Sequence, residues 1–174
     1  MSKKKILTIP DPILREISQP VKKVDQDIKN LMDEMLETMY DAPGIGLAAV
    51  QIGILKRVIV MDLSKEKEKK KPIFIVNPEI ISKSDDLVSY EEGCLSIPNQ
   101  FAEIERPNSC KIKYLDYDGK QNELKAEGLL ATCIQHEIDH INGILFIDYL
   151  SKLKKDLIIK KVKKQKKEID RVVV

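Results

Sequence analysis

Apolar residues recur at helical spacing in the first third of the chain. Asp25 is a residue type that caps helices, and Pro43 lies just beyond the last turn of the pattern, so the helix is expected to end near residues 41–43. Spacing of three and four places the apolar side chains on one face. That face consists of Ile28, Leu31, Met32, Met35, Leu36 and Met39.

Shorter runs rich in β-branched or alternating residues follow this helix. Between the first two runs lies a charged stretch at residues 65–71, which is typical of a solvated loop. Between the last two, Asp118 and Gly119 provide a hairpin turn. We therefore predict four strands, at residues 57–62, 73–77, 111–117 and 124–126.

Two further helices are predicted in the last third. The first runs from Leu129 to about Ile141, where Asn142 and Gly143 stop it. The second is basic and covers residues 152 to about 170. Because the strands are segregated from the helices along the chain, the pattern indicates an α+β fold.

Composition narrows the class of protein. The 174 residues suit one compact domain, and 30 basic against 28 acidic residues leave a formal charge of only +2. This balance argues against a body built entirely to clamp nucleic acid. No apolar run approaches the roughly 20 residues that cross a bilayer, and three cysteines do not suggest a disulfide scaffold. We expect a soluble, reduced, cytoplasmic protein that does not associate with membranes.

The two histidines of the chain, His136 and His140, lie one helical turn apart. They therefore share a helix face and can bind one metal ion, while Glu137 between them is poorly placed as a ligand but can reach a water on that ion. Two ordinary surface histidines are the alternative. The motif uses every histidine in the sequence and lies on a helix with an apolar back, which favours the metal site.

A catalytic site of this kind usually has three protein ligands and one open position. No histidine follows His140, so the third ligand is expected to be a carboxylate or a cysteine. Cys133 lies about 10 Å along the helix axis from His140, too far to share one ion. Cys110 enters a strand and is expected to be buried. The preferred ligand is Cys94, because its glycine and proline predict that the segment from Glu91 to Pro98 is irregular and could bring a thiolate in from outside the helix.

Residues 44–49 offer a rival interpretation. They match the loose pattern of a dinucleotide-binding loop, and Asp62 lies about where a ribose-binding acid is expected. Such a loop must follow a strand and open a helix, whereas this one follows the predicted helix that ends near Tyr40. Context therefore disfavours a dinucleotide-dependent oxidoreductase.

Three segments together resemble the peptide deformylase family. Their sequences are GIGLAAVQ at residues 44–51, EGCLS at residues 92–96 and QHEIDH at residues 135–140. The order and spacing match the family, and the resemblance spans nearly the whole chain. Two departures are visible: Ile141 replaces a usual Leu, and Phe101 occupies a position at the pocket rim that is Arg in some members.

The resemblance implies antiparallel sheets packed around a central helix that carries the HExxH motif, with an N-terminal and a C-terminal helix. It implies hydrolysis of the N-formyl group from the initiator methionine of nascent polypeptides, with release of formate. The metal ligands are then Cys94, His136 and His140. The family commonly uses Fe²⁺, and Zn²⁺, Ni²⁺ or Co²⁺ can replace it; the ligand types do not choose among these ions.

The resemblance also assigns roles around the metal. Glu137 transfers the proton, and the Gln51 amide and the Leu95 N–H stabilise the oxyanion. Gln51 could otherwise simply bridge loops. We expect Glu92 to form a buried pair with Arg106 that supports the cysteine segment. The residues predicted to bind the substrate are Gly44, Ile45, Gly46, Glu92, Phe101 and Cys133.

The basic C-terminal segment is treated as a helix of the same domain. Residues 1–150 form the catalytic metal-hydrolase body, and residues 151–174 add this helix, which has a net charge of +7 over residues 152–171. We expect one side of it to dock on the body through Leu153, Leu157, Ile158 and Val162. In some members of the family such a tail is linked to ribosome binding, and a merely solvated helix is the alternative.

Two rival functions remain open at this point. One is a metallopeptidase that uses the same helix, needs no Cys94 and cleaves internal peptide bonds. The other is a basic RNA- or ribosome-binding module with a structural metal. A structural site fills all four positions with protein ligands, and the sequence offers no convincing fourth ligand.

Overall fold

The computed structural model describes residues 3–172. Three helices form within this range: α1 (Gln26–Asp41), α2 (Gly128–Ile141) and α3 (Lys152–Val172). The strands are β1 (Gly46–Ala48), β2 (Val58–Met61), β3 (Ile73–Lys83), β4 (Leu87–Cys94), β5 (Ile97–Pro107), β6 (Ser109–Leu115) and β7 (Gln121–Glu127). Short 3₁₀ turns cover Pro12–Arg15, Ala49–Ile52 and Phe146–Tyr149.

The strands form two antiparallel sheets. Five of them pair in the order β1-β2-β3-β6-β7, and β4 pairs with β5 as a separate hairpin. The α+β prediction is confirmed, as are three helices at the expected places and strands near the four predicted runs. β1 lies at one edge of the larger sheet, so one side of its backbone does not pair with another strand of that sheet.

Strand β2 is buried on both faces because α1 and α2 pack against opposite sides of the sheet. Val58 and Val60 contact the cluster that contains the apolar face of α1. Ile59 and Met61 alternate with them and contact the cluster around α2. This explains why the run is continuously apolar rather than alternating. It also places α2, which carries both histidines, at the centre of the molecule.

The segment containing Cys94 differs from the expectation. We predicted an irregular stretch from Glu91 to Pro98, but β4 continues through Cys94 and a two-residue turn leads directly into β5. Gly and Pro suggested a loop, yet Pro is tolerated in a strand that lacks a neighbour on one side. The register shifts between Gly93 and Cys94, which alters the direction of the chain at the cysteine.

Helix α3 docks through fewer residues than predicted. Val162 is buried, and Ile158 packs with it against the cluster around Phe146. Leu153 and Leu157 are exposed, so their predicted docking is wrong. Their positions in the first turns place them away from the face that the body covers. No helix within residues 3–172 has the length and hydropathy to span a bilayer.

Candidate metal centre

Three side chains from two elements converge beside α2. His136 and His140 lie one turn apart on this helix, and their Nε2 atoms are 3.2 Å from each other. Cys94, at the end of β4, brings its Sγ to 3.2 Å from Nε2 of His140. All three potential ligand atoms lie within 4.8 Å of one another. Helical spacing places the two imidazoles, whereas only the hairpin brings the thiol to them.

The chemistry of these donors fits a divalent cation. An imidazole Nε2 carries at most one hydrogen, so the Nε2 atom of His140 can donate to only one of its two close neighbours. A cation at their centre would use the electron pairs of all three. No fourth His, Cys, Asp or Glu joins the group within residues 3–172, which leaves the open position typical of a catalytic site.

The other two cysteines are outside this group. Cys133 lies on α2 and is buried, and desolvation raises the pKa of its thiol well above the ordinary value. Cys110 lies in β6, where it is part of the core. Neither belongs to the cluster of potential ligands, in agreement with the axial distance that we expected to exclude Cys133.

Glu137 is buried beside this cluster. Its Oε2 atom has no hydrogen-bond partner among the described residues. Burial raises the pKa of the carboxyl group to about 7, so both protonation states are accessible near neutral pH. The space for Glu137 depends on Gly46, because a Cβ atom at that glycine would lie 2.5 Å from Oε1 of the glutamate. A side chain at position 46 would therefore force the Glu137 carboxyl group to move.

Gln51 links the glycine segment to the cysteine segment. Its Oε1 accepts a hydrogen bond from the Ala48 N–H at 2.9 Å, which fixes the orientation of the amide. Its Nε2 donates to Ser96 Oγ at 3.0 Å and lies 3.6 Å from Cys94 Sγ. The Gln51 amide nitrogen therefore lies between Ser96 and Cys94, one of the three potential metal ligands. Ser96, which the sequence analysis did not single out, holds this amide in place.

Behind the site, charged side chains form a continuous chain of hydrogen bonds. His136 Nδ1 lies 2.8 Å from Glu92 Oε1, and Arg106 donates to both oxygens of Glu92 at 2.7 and 3.0 Å. Arg106 also donates to Asp139 at 2.8 Å, and the Tyr149 hydroxyl donates to the same carboxylate at 2.7 Å. The buried Glu92–Arg106 pair that we predicted is thus present.

This arrangement changes the interpretation of Glu92. We expected it to bind substrate, but it is only 6% exposed and its two oxygens are engaged by Arg106 and His136. Burial alone would raise its pKa, but the hydrogen bonds from His136 and Arg106 hold the pKa below its usual value. We therefore assign Glu92 to orienting the imidazole of His136. Asp139 and Tyr149 were missed, since sequence spacing does not indicate their shared contact with Arg106.

Replacing Arg106 with Leu is expected to destabilise the protein by about 3–5 kcal/mol, because the change leaves Glu92 buried without its cation. Urea unfolding measures this loss. Lys111→Met is the matched control, since its pair with Glu123 lies on the surface and such pairs contribute little. Equal stability of the Arg106 and Lys111 variants would contradict a structural role for the buried chain.

A cleft of about 510 Å³ opens onto this site. Every residue that we predicted for the site lines it except His140, which lies deeper. The glycine segment does not open a long helix as a dinucleotide-binding loop would. It forms the edge strand β1 and then the 3₁₀ turn at Ala49–Ile52, which excludes the oxidoreductase interpretation.

Comparison with known proteins agrees with this geometry. The family described as "Polypeptide deformylase" matches residues 3–156. The peptide deformylase of Pelagibacter ubique (strain HTCC1062) is 62% identical over 174 residues, which cover 100% of both chains.

Solved structures agree as well. The crystal structure of peptide deformylase from Ehrlichia chaffeensis superposes with a TM-score of 0.92 at 46% identity, covering 96% of this chain and 98% of that one. A structure of the Ehrlichia chaffeensis protein in complex with actinonin gives 0.91 at 48% identity, covering 95% and 98%. The resemblance carried by the three motifs is thereby confirmed, and the chain belongs to the peptide deformylase family of enzymes.

Proposed function

We propose that this chain hydrolyses the N-formyl group of the initiator methionine in nascent polypeptides and releases formate. The observation that carries the proposal is the convergence of Cys94, His136 and His140 beside the buried carboxyl of Glu137 in an open cleft. We propose Cys94, His136 and His140 as the metal ligands. Fe²⁺ is the proposed ion because the family commonly uses it, with Zn²⁺, Ni²⁺ or Co²⁺ as substitutes.

The proposed chemistry divides among the side chains around the ion. A divalent ion supplies Lewis acidity and lowers the pKa of water at this site. Glu137 accepts the proton of the attacking water and delivers it to the departing amine. The Gln51 amide and the Leu95 N–H donate hydrogen bonds to the oxyanion that forms on the formyl group. The hydrogen bond from Ala48 to Gln51 supports this role, because it fixes the amide before substrate arrives.

The proposed substrate binds in an extended conformation along β1. Gly44 and Gly46 allow a peptide backbone to approach, and β1 is an edge strand. Ile45, Leu95 and Cys133 line the same cleft and are proposed to surround the methionine side chain. Leu95 depends on Gly44 for its place, since a Cβ atom there would lie 2.6 Å from a Leu95 methyl group.

We expect formyl-methionyl peptides to release formate while acetyl-methionyl peptides are barely cleaved. Gly46, Gln51 and Leu95 crowd the candidate metal site, and an acetyl methyl group is larger than a formyl hydrogen. Steady-state rates of formate and acetate release from matched peptides measure the ratio of deformylation to deacetylation. Metal analysis of anaerobically purified protein accompanies this assay. Comparable turnover of both peptides would refute the assignment, and cleavage of internal peptide bonds would favour the metallopeptidase.

The metallopeptidase and the structural-metal module are less well supported. A metallopeptidase has no need of Cys94, yet the Sγ atom of Cys94 is one of the three clustered potential ligand atoms. A structural site needs a fourth ligand, and residues 3–172 provide none in the cluster. We further propose that the enzyme works in the cytoplasm, where nascent chains are made.

We propose that α3 belongs to the same domain as residues 1–150 and that its lysines contact the ribosome. The buried Val162 supports the first part, and the net charge of +7 supports the second. Removing the helix would uncover the cluster around Phe146, so substitution is the cleaner test. Exposed lysines suitable for this purpose are Lys160, Lys163, Lys164 and Lys167.

Changing these four lysines to Gln is expected to weaken salt-sensitive co-sedimentation with ribosomes, because each lysine lost removes a phosphate contact. Turnover of a small formyl peptide should stay close to wild type, since the lysines lie outside the cleft. Four exposed lysines of the 65–71 loop, changed in the same way, provide the control. Unchanged co-sedimentation at low salt would identify α3 as a merely solvated helix.

A further inference from the structure

Tyr149 is the outermost member of the chain of hydrogen bonds behind the candidate metal site. It is 51% exposed, whereas Arg106 is only 3% exposed. The Tyr149 hydroxyl donates to Asp139 Oδ2 at 2.7 Å, and Arg106 Nη1 donates to the same oxygen at 2.8 Å. The ring also covers the guanidinium group, whose Cζ atom lies 4.8 Å from the ring centroid. Tyr149 therefore contacts both members of this ion pair while part of it lies in solvent.

These contacts restrict the part of the Arg106 guanidinium that Glu92 does not hold. Nε and Nη2 of Arg106 donate to the two oxygens of Glu92. Nη1 instead contacts Asp139 and the Tyr149 hydroxyl. A guanidinium group is planar and rigid, so fixing Nη1 also fixes the direction of the N–H groups that bind Glu92. Because Glu92 Oε1 lies 2.8 Å from Nδ1 of His136, the orientation of Arg106 is transmitted to a potential metal ligand.

The position of Tyr149 is fixed although about half of the residue is exposed. It ends a 3₁₀ turn in which Phe146 is buried in the core. The preceding residue of the turn, Asp148, pairs with Lys155 of α3 at 2.6 Å. Burial, together with the hydrogen bond to Asp139, raises the pKa of the Tyr149 hydroxyl to about 12. The hydroxyl therefore keeps its proton and remains a hydrogen-bond donor at neutral pH.

We propose that Tyr149 is a positioning residue of the metal centre, which holds Arg106 in the orientation that keeps the imidazole of His136 directed at the ion. The inference rests on the proposed function, since His136 is a proposed metal ligand. Groups that hydrogen-bond to a ligating histidine set its orientation, and their loss weakens metal binding. Tyr149 acts through Arg106 and does not line the cleft, so its loss should change metal binding and kcat rather than KM.

Tyr149→Phe tests the inference, because it removes the hydroxyl and retains the ring. We expect this variant to bind Co²⁺ about three- to tenfold more weakly than the wild type, the effect of one net hydrogen bond. Competition with a chelator measures this affinity. The visible absorption bands of bound cobalt should shift, because they report the geometry of the ligands. For a formyl-methionyl peptide, kcat should fall while KM stays unchanged.

Tyr117→Phe is the matched control. The Tyr117 hydroxyl donates to Asp33 at 3.1 Å, and the ammonium group of Lys29 lies 5.3 Å from the centroid of its ring. The chemistry therefore matches that of Tyr149, but Tyr117 packs beside α1 and does not line the cleft. The control variant should keep the wild-type Co²⁺ affinity, cobalt spectrum and kcat, whatever stability it loses.

A double-mutant cycle tests the route through the shared carboxylate. Asp139→Asn removes the charge that Tyr149 and Arg106 share, and it should itself weaken Co²⁺ binding. In this background, Tyr149→Phe should reduce the affinity by a smaller factor than it does in the wild type, because residues of one hydrogen-bond network are not additive.

A Tyr149→Phe variant that loses only thermal stability, with wild-type Co²⁺ affinity and an unchanged cobalt spectrum, would overturn the inference. Full additivity in the double-mutant cycle would overturn it as well. A wild-type protein that binds no Co²⁺, or that releases no formate from a formyl-methionyl peptide, would overturn the proposed function instead.

Discussion

Glu137→Gln is expected to lower kcat/KM for a formyl-methionyl peptide by at least about 10²-fold while the protein keeps its metal. The amide has nearly the same shape as the carboxyl group, but it cannot accept a proton. Glu137 does not belong to the cluster of potential ligands, so metal content should remain near that of the wild type. Formate release and metal content, measured on the same preparation, separate the two effects.

Glu37→Gln provides the control, because Glu37 is an exposed carboxylate on α1 away from the cleft. It should change neither quantity. Near-normal formate release by the Glu137 variant would remove the proposed proton-transfer role. Loss of metal together with activity would instead make Glu137 part of the metal site.

Cys94→Ala is expected to bind metal much more weakly than the wild type, because two imidazoles remain where a charged thiolate completed the set. Cys133→Ser should retain about one metal ion per chain, with a modest loss of stability, since its sulfur lies outside the cluster. Cys110→Ser should behave like the Cys133 variant. The comparison separates three thiols that composition alone cannot distinguish.

Substitution with cobalt gives a direct readout of the same question. A charge-transfer band between thiolate and cobalt should disappear only when Cys94 is replaced. If the band survives Cys94→Ala and disappears with Cys133→Ser, the proposed ligand set is wrong, and the proposed function loses its main support. Metal content measured by elemental analysis provides an independent check on each variant.

Local spacing made much of the fold predictable. The apolar face of α1 is confirmed from Ile28 to Met39, apart from Leu36, which is only partly buried. Strand β2 was predictable because a strand that is buried on both faces consists of a continuous run of apolar residues. The β4–β5 hairpin was missed around Cys94, since its residues alternate weakly and Gly93 and Pro98 suggested a loop. Its pairing depends on contacts between strands, which sequence periodicity does not report.

The candidate site likewise has features that the sequence predicts and features that only the tertiary structure decides. The sequence by itself determined that His136, Glu137 and His140 share one stretch of helix, because a helical turn has a fixed length. It also excluded Cys133 as a ligand by the same geometry. Only the tertiary structure decided that Cys94 meets these histidines, that Gly46 makes room for Glu137, and that Arg106 also binds Asp139 of α2. These contacts join residues far apart in the chain, and their distances follow from the packing of α2 against both sheets rather than from any local repeat.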